Sequence, residues 1–166
     1  MIYRLYATPD QFDDLMLSGE EVLSELRFIA QGSKLSFYND PAAFGDAVKW
    51  LDLYFSGDIP DFIPEFKVDY KSDFQKDVLD IVSKIPYGET RTYKEIALLV
   101  AKKRNSAPCA QAAGRALKDN PLCLLIPCHR VIGKNGDLTG YNGGINNKRE
   151  LLKIEGSDIR QNSRVK

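Results

Sequence analysis

The sequence predicts an α+β chain in which strands come first and helices follow. Two observations carry this: apolar residues of the first forty positions fall in short strand-like runs, and helix-like segments follow at 41–55, 72–85, 92–100, 107–118 and 147–154. The charge also changes sign between the halves. Residues 1–80 hold 16 Asp and Glu against 7 Lys and Arg; residues 81–166 hold 7 against 16. A formal net charge of zero thus hides balances of −9 and +9. The length of 166 residues suits one domain of ordinary size or one with a small appendage. The expected division is an N-terminal scaffold at 1–70, a helical domain at 71–156, and a polar tail at 157–166 that frays.

In the first part, residues 1–7 alternate loosely, 26–30 form a short apolar run, and 34–38 alternate after a Gly-Ser turn. Phe44, Ala47, Val48, Leu51 and Tyr54 or Phe55 then mark a helix over 41–55, with Asn39 or Asp40 as N-cap before Pro41. Gly57 ends it, and residues 59–68, with Pro60 and Pro64, run extended into the second part.

Ser72 caps the next helix, whose stripe is Phe74, Val78, Ile81, Val82 and Ile85, and Pro86-Tyr87-Gly88 stops it. Thr92 caps a short helix to about Val100. A basic turn at 102–106 follows, then an Ala-rich helix over 107–118 that stops at Asn120-Pro121. Two short helices joined by a tight turn resemble a helix-turn-helix. Residues 122–132 are apolar, the five glycines 133, 136, 140, 143 and 144 make a tightly turned loop, and 147–154 form the last helix.

Composition narrows the function. A chain 43% hydrophobic and 28% charged is neither disordered nor collagen-like. Its densest apolar runs, 96–101 and 122–128, fall far short of the roughly 20 residues that span a bilayer. The N-terminus does not read as a signal peptide. Three cysteines, none in the first hundred residues, do not make a disulfide framework. The expectation is a cytoplasmic protein, or a nuclear one in a eukaryote, and a basic second half suggests an anionic partner such as nucleic acid.

The sharpest feature is the run from Ile126 to Ile132, in which the chain's single histidine, His129, follows Cys128. A thiolate is a strong nucleophile and an imidazole can take the thiol proton. A carboxylate is needed to orient the imidazole, and Glu155 is a candidate. On these residues alone Cys128 could equally be a small buried hydrophobe.

Further motifs decide between these readings. Pro127-Cys128-His129-Arg130-Val131 resembles the active-site signature of the O6-alkylguanine-DNA alkyltransferases, the methylated-DNA–protein-cysteine methyltransferases. The segment Ile85-Pro86-Tyr87-Gly88-Glu89-Thr90, followed by Thr92-Tyr93, resembles the stretch before that family's helix-turn-helix. Asn120-Pro121 is similar to its asparagine hinge, Gly140-Tyr141-Asn142-Gly143-Gly144 to its pocket loop, and Lys148 with Leu151, Leu152 and Glu155 to its final helix. The resemblance covers residues 44–156 well and 1–40 loosely.

The resemblance implies a ribonuclease H-like N-terminal domain before the helix-turn-helix domain. It implies single-turnover transfer of an alkyl group from guanine O6 in DNA, or thymine O4, to Cys128. His129 would draw the thiol proton through a water, Glu155 would hold His129, and Tyr93 would donate to the leaving guanine. Asn120 would hold the hinge, and Lys148 the site through backbone carbonyls. Val131, Tyr141, Asn142 and Gly143 would line the pocket. Thr92, Gln111, Ala112, Gly114, Arg115, Lys118 and Arg130 would meet DNA, with Lys102, Lys103 and Arg104 adding phosphate contacts. The partner would be double-stranded DNA, bound as a monomer through the minor groove without sequence preference, with the lesion rotated out of the stack.

No cofactor and no metal site is expected, because no Cys or His precedes Cys109, and Cys109, Cys123, Cys128 and His129 lack zinc spacing. Cys109 and Cys123 read as buried thiols. Two positions depart from the family: Gln111 stands where an arginine is usual, and Asn142 where a small residue such as serine is frequent. The competing readings are a lesion-binding relative that lacks the reactive cysteine and a Cys-His hydrolase.

Overall fold

The computed structural model describes residues 1–33 and 39–157. The strand expected at 34–38 and the tail expected from 158 onward lie outside them. The chain falls into two units, Met1–Asp69 with Pro121–Leu125, and Tyr70–Asn120 with the residues from Ile126 onward.

The first unit is built on an antiparallel sheet of order β1-β2-β3, comprising β1 (Ile2–Tyr6), β2 (Asp14–Gly19) and β3 (Leu23–Ile29). Tyr6 pairs with Leu15, and Leu17 with Leu26. β2 was not read from the sequence, for a physical reason. Residues 15–19 are all buried, so the strand lacks the alternation that marks a half-exposed one. Leu26 donates its N–H to the Pro121 carbonyl and its carbonyl accepts from Cys123, so residues 121–123 form a parallel bridge to β3 at Leu26.

Helix α1 (Gly45–Phe55) buries Ala47, Trp50, Leu51 and Tyr54. It starts four residues later than the spacing suggests. Asn39 does not cap it, because its Oδ1 takes the N–H of Leu5 at 2.7 Å. Asp40 closes a separate turn onto the N–H of Ala42 at 2.9 Å. Phe44 is left-handed at φ 53, which breaks helical continuity ahead of Gly45.

In the second unit, α2 (Asp73–Val82) is capped by Ser72, whose hydroxyl accepts from the Gln75 N–H. α3 (Tyr93–Arg104) follows the two-residue strand β4 (Arg91–Thr92). Thr92 and Glu95 cap each other's backbone N–H groups in a full capping box. The helix runs through Lys102, Lys103 and Arg104, so the expected basic turn is its last turn. Cations there offset the carbonyl end of the helix, and Asn105 closes it at φ 48. α4 (Ala110–Lys118) begins at an exposed Cys109, whose sulfur accepts from the Ala112 N–H; the expectation of a buried thiol holds for Cys123 and fails here.

Gln75 is buried and donates to the Asp119 carbonyl at 3.2 Å, fixing the end of α4 on α2. A single 3-10 turn (Cys128–Arg130) leads into β5 (Val131–Ile132), which pairs in parallel with β4, Arg91 to Val131 and Thr92 to Ile132. α5 (Ile145–Ile154) then buries Lys148, Leu151 and Leu152. Among the described residues no helix is long and apolar enough to cross a membrane.

The capping box generates a prediction. Thr92→Ala removes the acceptor of the Glu95 N–H at the start of α3 and is expected to cost about 1–2 kcal/mol of stability. Urea unfolding measures this, and a change within about 0.3 kcal/mol would contradict the weight given to the cap.

Candidate active site

Cys128 opens the 3-10 turn and is 8% exposed. Asn120, just beyond α4, sets its sulfur. The side-chain NH2 of Asn120 donates to the Ile126 carbonyl at 2.9 Å and to Cys128 Sγ at 3.1 Å. One amide group thus fixes the loop and faces the sulfur. It also joins the point where the chain leaves the second unit to the point where it returns. Burial pushes the Cys128 thiol above its ordinary pKa, against the pull of the Asn120 donor and the Lys148 charge. The sulfur therefore rests as a thiol at neutral pH and needs a base to become a nucleophile.

His129 is fully buried, and its Nε2 lies 2.7 Å from Glu155 Oε1. Burial lowers its proton affinity, with Glu155 opposing, so the imidazole is neutral at neutral pH. Facing an ionised carboxylate, a neutral ring assigns its hydrogen to Nε2 and leaves the lone pair on Nδ1. Burial would raise the Glu155 carboxyl, but the hydrogen bond from His129 and the guanidinium of Arg130 outweigh it and hold it at about 2.

Arg130 makes a fork on that carboxylate: Nε to Oε2 at 2.8 Å and Nη2 to Oε1 at 2.9 Å. Its remaining arm donates to the Ile85 carbonyl at 2.7 Å, and its guanidinium carbon lies 5.7 Å from the centre of the Tyr87 ring. Tyr87 donates to the Ile154 carbonyl, and the Gly88 N–H approaches Glu155 Oε2 at 3.4 Å. Gly88 has φ +79, and a Cβ there would lie 3.0 Å from the Glu155 carbonyl oxygen, so the turn after α2 needs glycine.

Lys148 is also fully buried and its charge acts on Cys128. Its Nζ donates to the Val131 carbonyl at 2.6 Å and approaches that of Thr139 at 3.4 Å. It lies 5.8 Å from the centre of the Tyr93 ring and 5.7 Å from that of Tyr141. Burial lowers its pKa to about 8, so it remains mainly cationic at neutral pH. The Tyr93 hydroxyl donates to Thr139 at 3.0 Å. Gly140, at φ +71, would place a Cβ 3.3 Å from that hydroxyl.

The structure thus brings Cys128, His129, Glu155, Asn120, Lys148, Tyr93, Val131 and Tyr141 together. Asn142 is exposed, and half-buried Gly143 accepts from the Asn147 amide at 2.7 Å. Gln111, Arg115 and Lys118 are exposed on α4, with Ala112 and Gly114 half-buried. Thr92 has its hydroxyl engaged in the capping box. Lys103 and Arg104, expected on phosphates, are paired with Asp77 of α2.

Arg130 is corrected. It is 8% exposed and its guanidinium is engaged inside, which withdraws it from the surface open to DNA. Sequence reasoning also missed Thr139, whose role is a backbone carbonyl that no side-chain pattern signals. The Tyr87-Gly88 pair was visible as a motif without a role. Among the described residues no group of three or more His, Cys, Asp or Glu is placed to hold a metal.

Comparisons with known proteins bear on the chain as a whole. The sequence model described as "6-O-methylguanine DNA methyltransferase, DNA binding domain" matches residues 73–157. A methylated-DNA–protein-cysteine methyltransferase of Mycobacterium bovis is 43% identical over 93% of this chain and 92% of its own. One of Methanosarcina acetivorans is 38% identical over 95% of this chain and 99% of its own. The crystal structure of Mycobacterium tuberculosis OGT in complex with DNA superposes with a TM-score of 0.78 at 42% identity, covering 93% of this chain and 92% of that one.

The buried carboxylate yields an acid-stability prediction. Its folded value of about 2 lies below the ordinary 4.5. Its contribution is therefore complete above about 4.5 and is lost as the pH falls towards 2. Glu155→Gln should remove this part of the acid loss. It should also lower stability at pH 7 by about 3–5 kcal/mol, because Arg130 stays buried without its counter-charge. Urea unfolding across pH 2–7 tests both, and a parental pH slope in the variant would contradict the assignment.

Proposed function

The chain belongs to the methylated-DNA–protein-cysteine methyltransferase family, and we propose that it repairs O6-alkylguanine in DNA by taking the alkyl group onto Cys128. The observation that carries this reading is a buried thiol held by Asn120 next to an imidazole fixed by Glu155. The thiol proton passes to His129 Nδ1 by way of a water. The sulfur then attacks the alkyl carbon from the side opposite guanine O6; the S–C bond forms as the C–O6 bond breaks. Negative charge develops on the leaving guanine, and Tyr93 turns its hydroxyl from Thr139 to the guanine ring. Lys148 keeps a donor on Thr139 when Tyr93 turns away. Asn120 steadies the charge on the sulfur as the proton leaves it.

The product thioether has no easy leaving group, so each chain reacts once. A relative solved in complex with DNA supports DNA as the partner. In this reading α3 and α4 act as a helix-turn-helix, α4 enters the minor groove of a duplex bound by a single chain, and the first unit is the ribonuclease H-like scaffold. Exposed Gln111, Arg115 and Lys118 then face the DNA, which is read without sequence preference. A lesion-binding protein without transfer would dispense with the thiol that Asn120 holds here.

The direct test is an intact mass after mixing with duplex DNA that carries O6-methylguanine. One methyl gained per chain, on the Cys128 peptide, is expected, with no further reaction in excess substrate. Steady turnover, or no mass gain, would overturn the proposal. Cys128→Ser should abolish transfer while keeping lesion binding within about tenfold, since a hydroxyl is a far weaker nucleophile at neutral pH.

Gln111 gives a second prediction. In this reading it fills the gap left by the rotated base, and flipping costs a few kcal/mol. Gln111→Arg, with a longer and charged plug, should speed repair of duplex lesions and leave the reaction with free O6-benzylguanine unchanged. Gln111→Ala should slow duplex repair alone. Arg115 lies one turn further on the same face; if Arg115→Ala is slow on duplex and Gln111→Ala is silent, the plug is Arg115.

A further inference from the structure

Arg130 spends its guanidinium on one carboxylate oxygen pair and one carbonyl, all inside the site. A residue needed only to fill space there would not require a fork. The fork covers both oxygens of the carboxylate that His129 uses, and Ile85 and the Tyr87 ring hold the guanidinium from α2's side. We propose that Arg130 is a positioning residue for the transfer reaction, a fixed cation that keeps the His129–Glu155 pair at one shared proton so that His129 Nδ1 stays a base.

The argument is one of proton counting. With Arg130 in place, the pair holds a single hydrogen, on His129 Nε2, directed to Glu155 Oε1. Without it, the pair must carry an unbalanced negative charge in a buried setting, and it relieves that charge by taking a second proton. Two arrangements are open. Either His129 becomes an imidazolium beside an ionised Glu155, or Glu155 becomes a carboxylic acid that donates to Nε2 while the ring hydrogen moves to Nδ1. In both, Nδ1 carries a hydrogen and cannot accept the proton of Cys128. The same loss of base follows whichever group is formally protonated.

The other charges around the imidazole do not replace Arg130. Lys148 reaches His129 from α5 and acts in the same direction, but its ammonium is committed to the Val131 and Thr139 carbonyls. Cys128, the neighbour in sequence, is a protonated thiol at rest. Glu155 itself is the anion to be balanced.

The inference rests on the alkyl-transfer reading, and its test has one arm that does not. The chain has a single histidine, so its imidazole resonances are assigned without ambiguity. Nitrogen-detected spectra of the whole protein should show hydrogen on Nε2 alone at pH 7. In Arg130→Met they should show hydrogen on Nδ1 at pH 7, titrating away about one pH unit or more higher than in the parent. The second arm is the rate of Cys128 alkylation by O6-benzylguanine against pH. Arg130→Met should be a few-fold slower at pH 7 and should approach the parent rate as the pH rises through its raised titration. Arg130→Lys, which keeps the charge and loses the fork, should fall between the two.

An unchanged titration and profile in a folded Arg130→Met protein would make Arg130 purely structural and overturn the proposal. If that variant does not fold, Arg130→Gln, which keeps a donor to the carboxylate and loses the charge, decides: an upward shift of its acid limb supports the proposal, and a parental profile overturns it. A parent with the expected tautomer but no alkylation would sink the transfer reading and leave the proton count intact.

Discussion

A carboxylate buried to 5% exposure is the constraint around which the second unit is arranged. Glu155 cannot remain ionised in such a place without partners that are themselves fixed. Arg130 and His129 are adjacent in sequence, and a single 3-10 turn lets both reach the same carboxylate. That requirement puts the nucleophile one residue before them, at the start of the turn. The end of α5 must then lie against this turn, and the segment from Ile85 to Gly88 must wrap the same group from a third direction. Three separated stretches of chain are brought to one point by a charge that water cannot reach.

Two further ties connect this point to the helices that carry the proposed DNA surface. β4 and β5 pair over only two residues, yet they join the residue that caps α3 to the strand leaving the site. Gln75 pins the end of α4, and Asn120 follows directly to hold both the returning loop and the sulfur. A shift of α4 relative to α2 would therefore be felt at Cys128 through a single side chain. In the proposed reaction this matters, because the helix that displaces the base and the thiol that meets it must keep a common register.

Much of this was legible because it is carried by residue types with few alternatives. Ser72 and Thr92 cap helices as their hydroxyls and following Gln or Glu suggest. The Cys128-His129 pair and Glu155 were readable from chemistry, and the surrounding motifs from resemblance. What was illegible depends on who pairs with whom. β2 is buried throughout and has no period to read. Asn39 and Asp40 look like helix caps, but their side chains are taken by Leu5 and Ala42. Arg130 looks like a phosphate contact until the carboxylate 25 residues away is seen to hold it. An arginine's sequence neighbours do not say whether its guanidinium faces water or an anion.

The burial that makes Glu155 costly also bears on the sulfur. A thiol in an electropositive, open setting would rest as thiolate and react with any electrophile or oxidant that reached it. Here burial raises the Cys128 pKa, and its nearest hydrogen-bond donor is a neutral amide rather than a cation. Lys148 brings a positive charge close, yet its ammonium is shared among carbonyls and two aromatic faces. The resting site is therefore poised but not activated, and the base beside it removes a proton only when an electrophile makes that favourable. For a protein that reacts once, reaction with the wrong partner is as final as reaction with the right one. A quiet thiol with a pre-oriented base meets that condition better than a preformed thiolate, and the buried Arg130–Glu155–His129 array is what lets the base be ready while the thiol stays protonated.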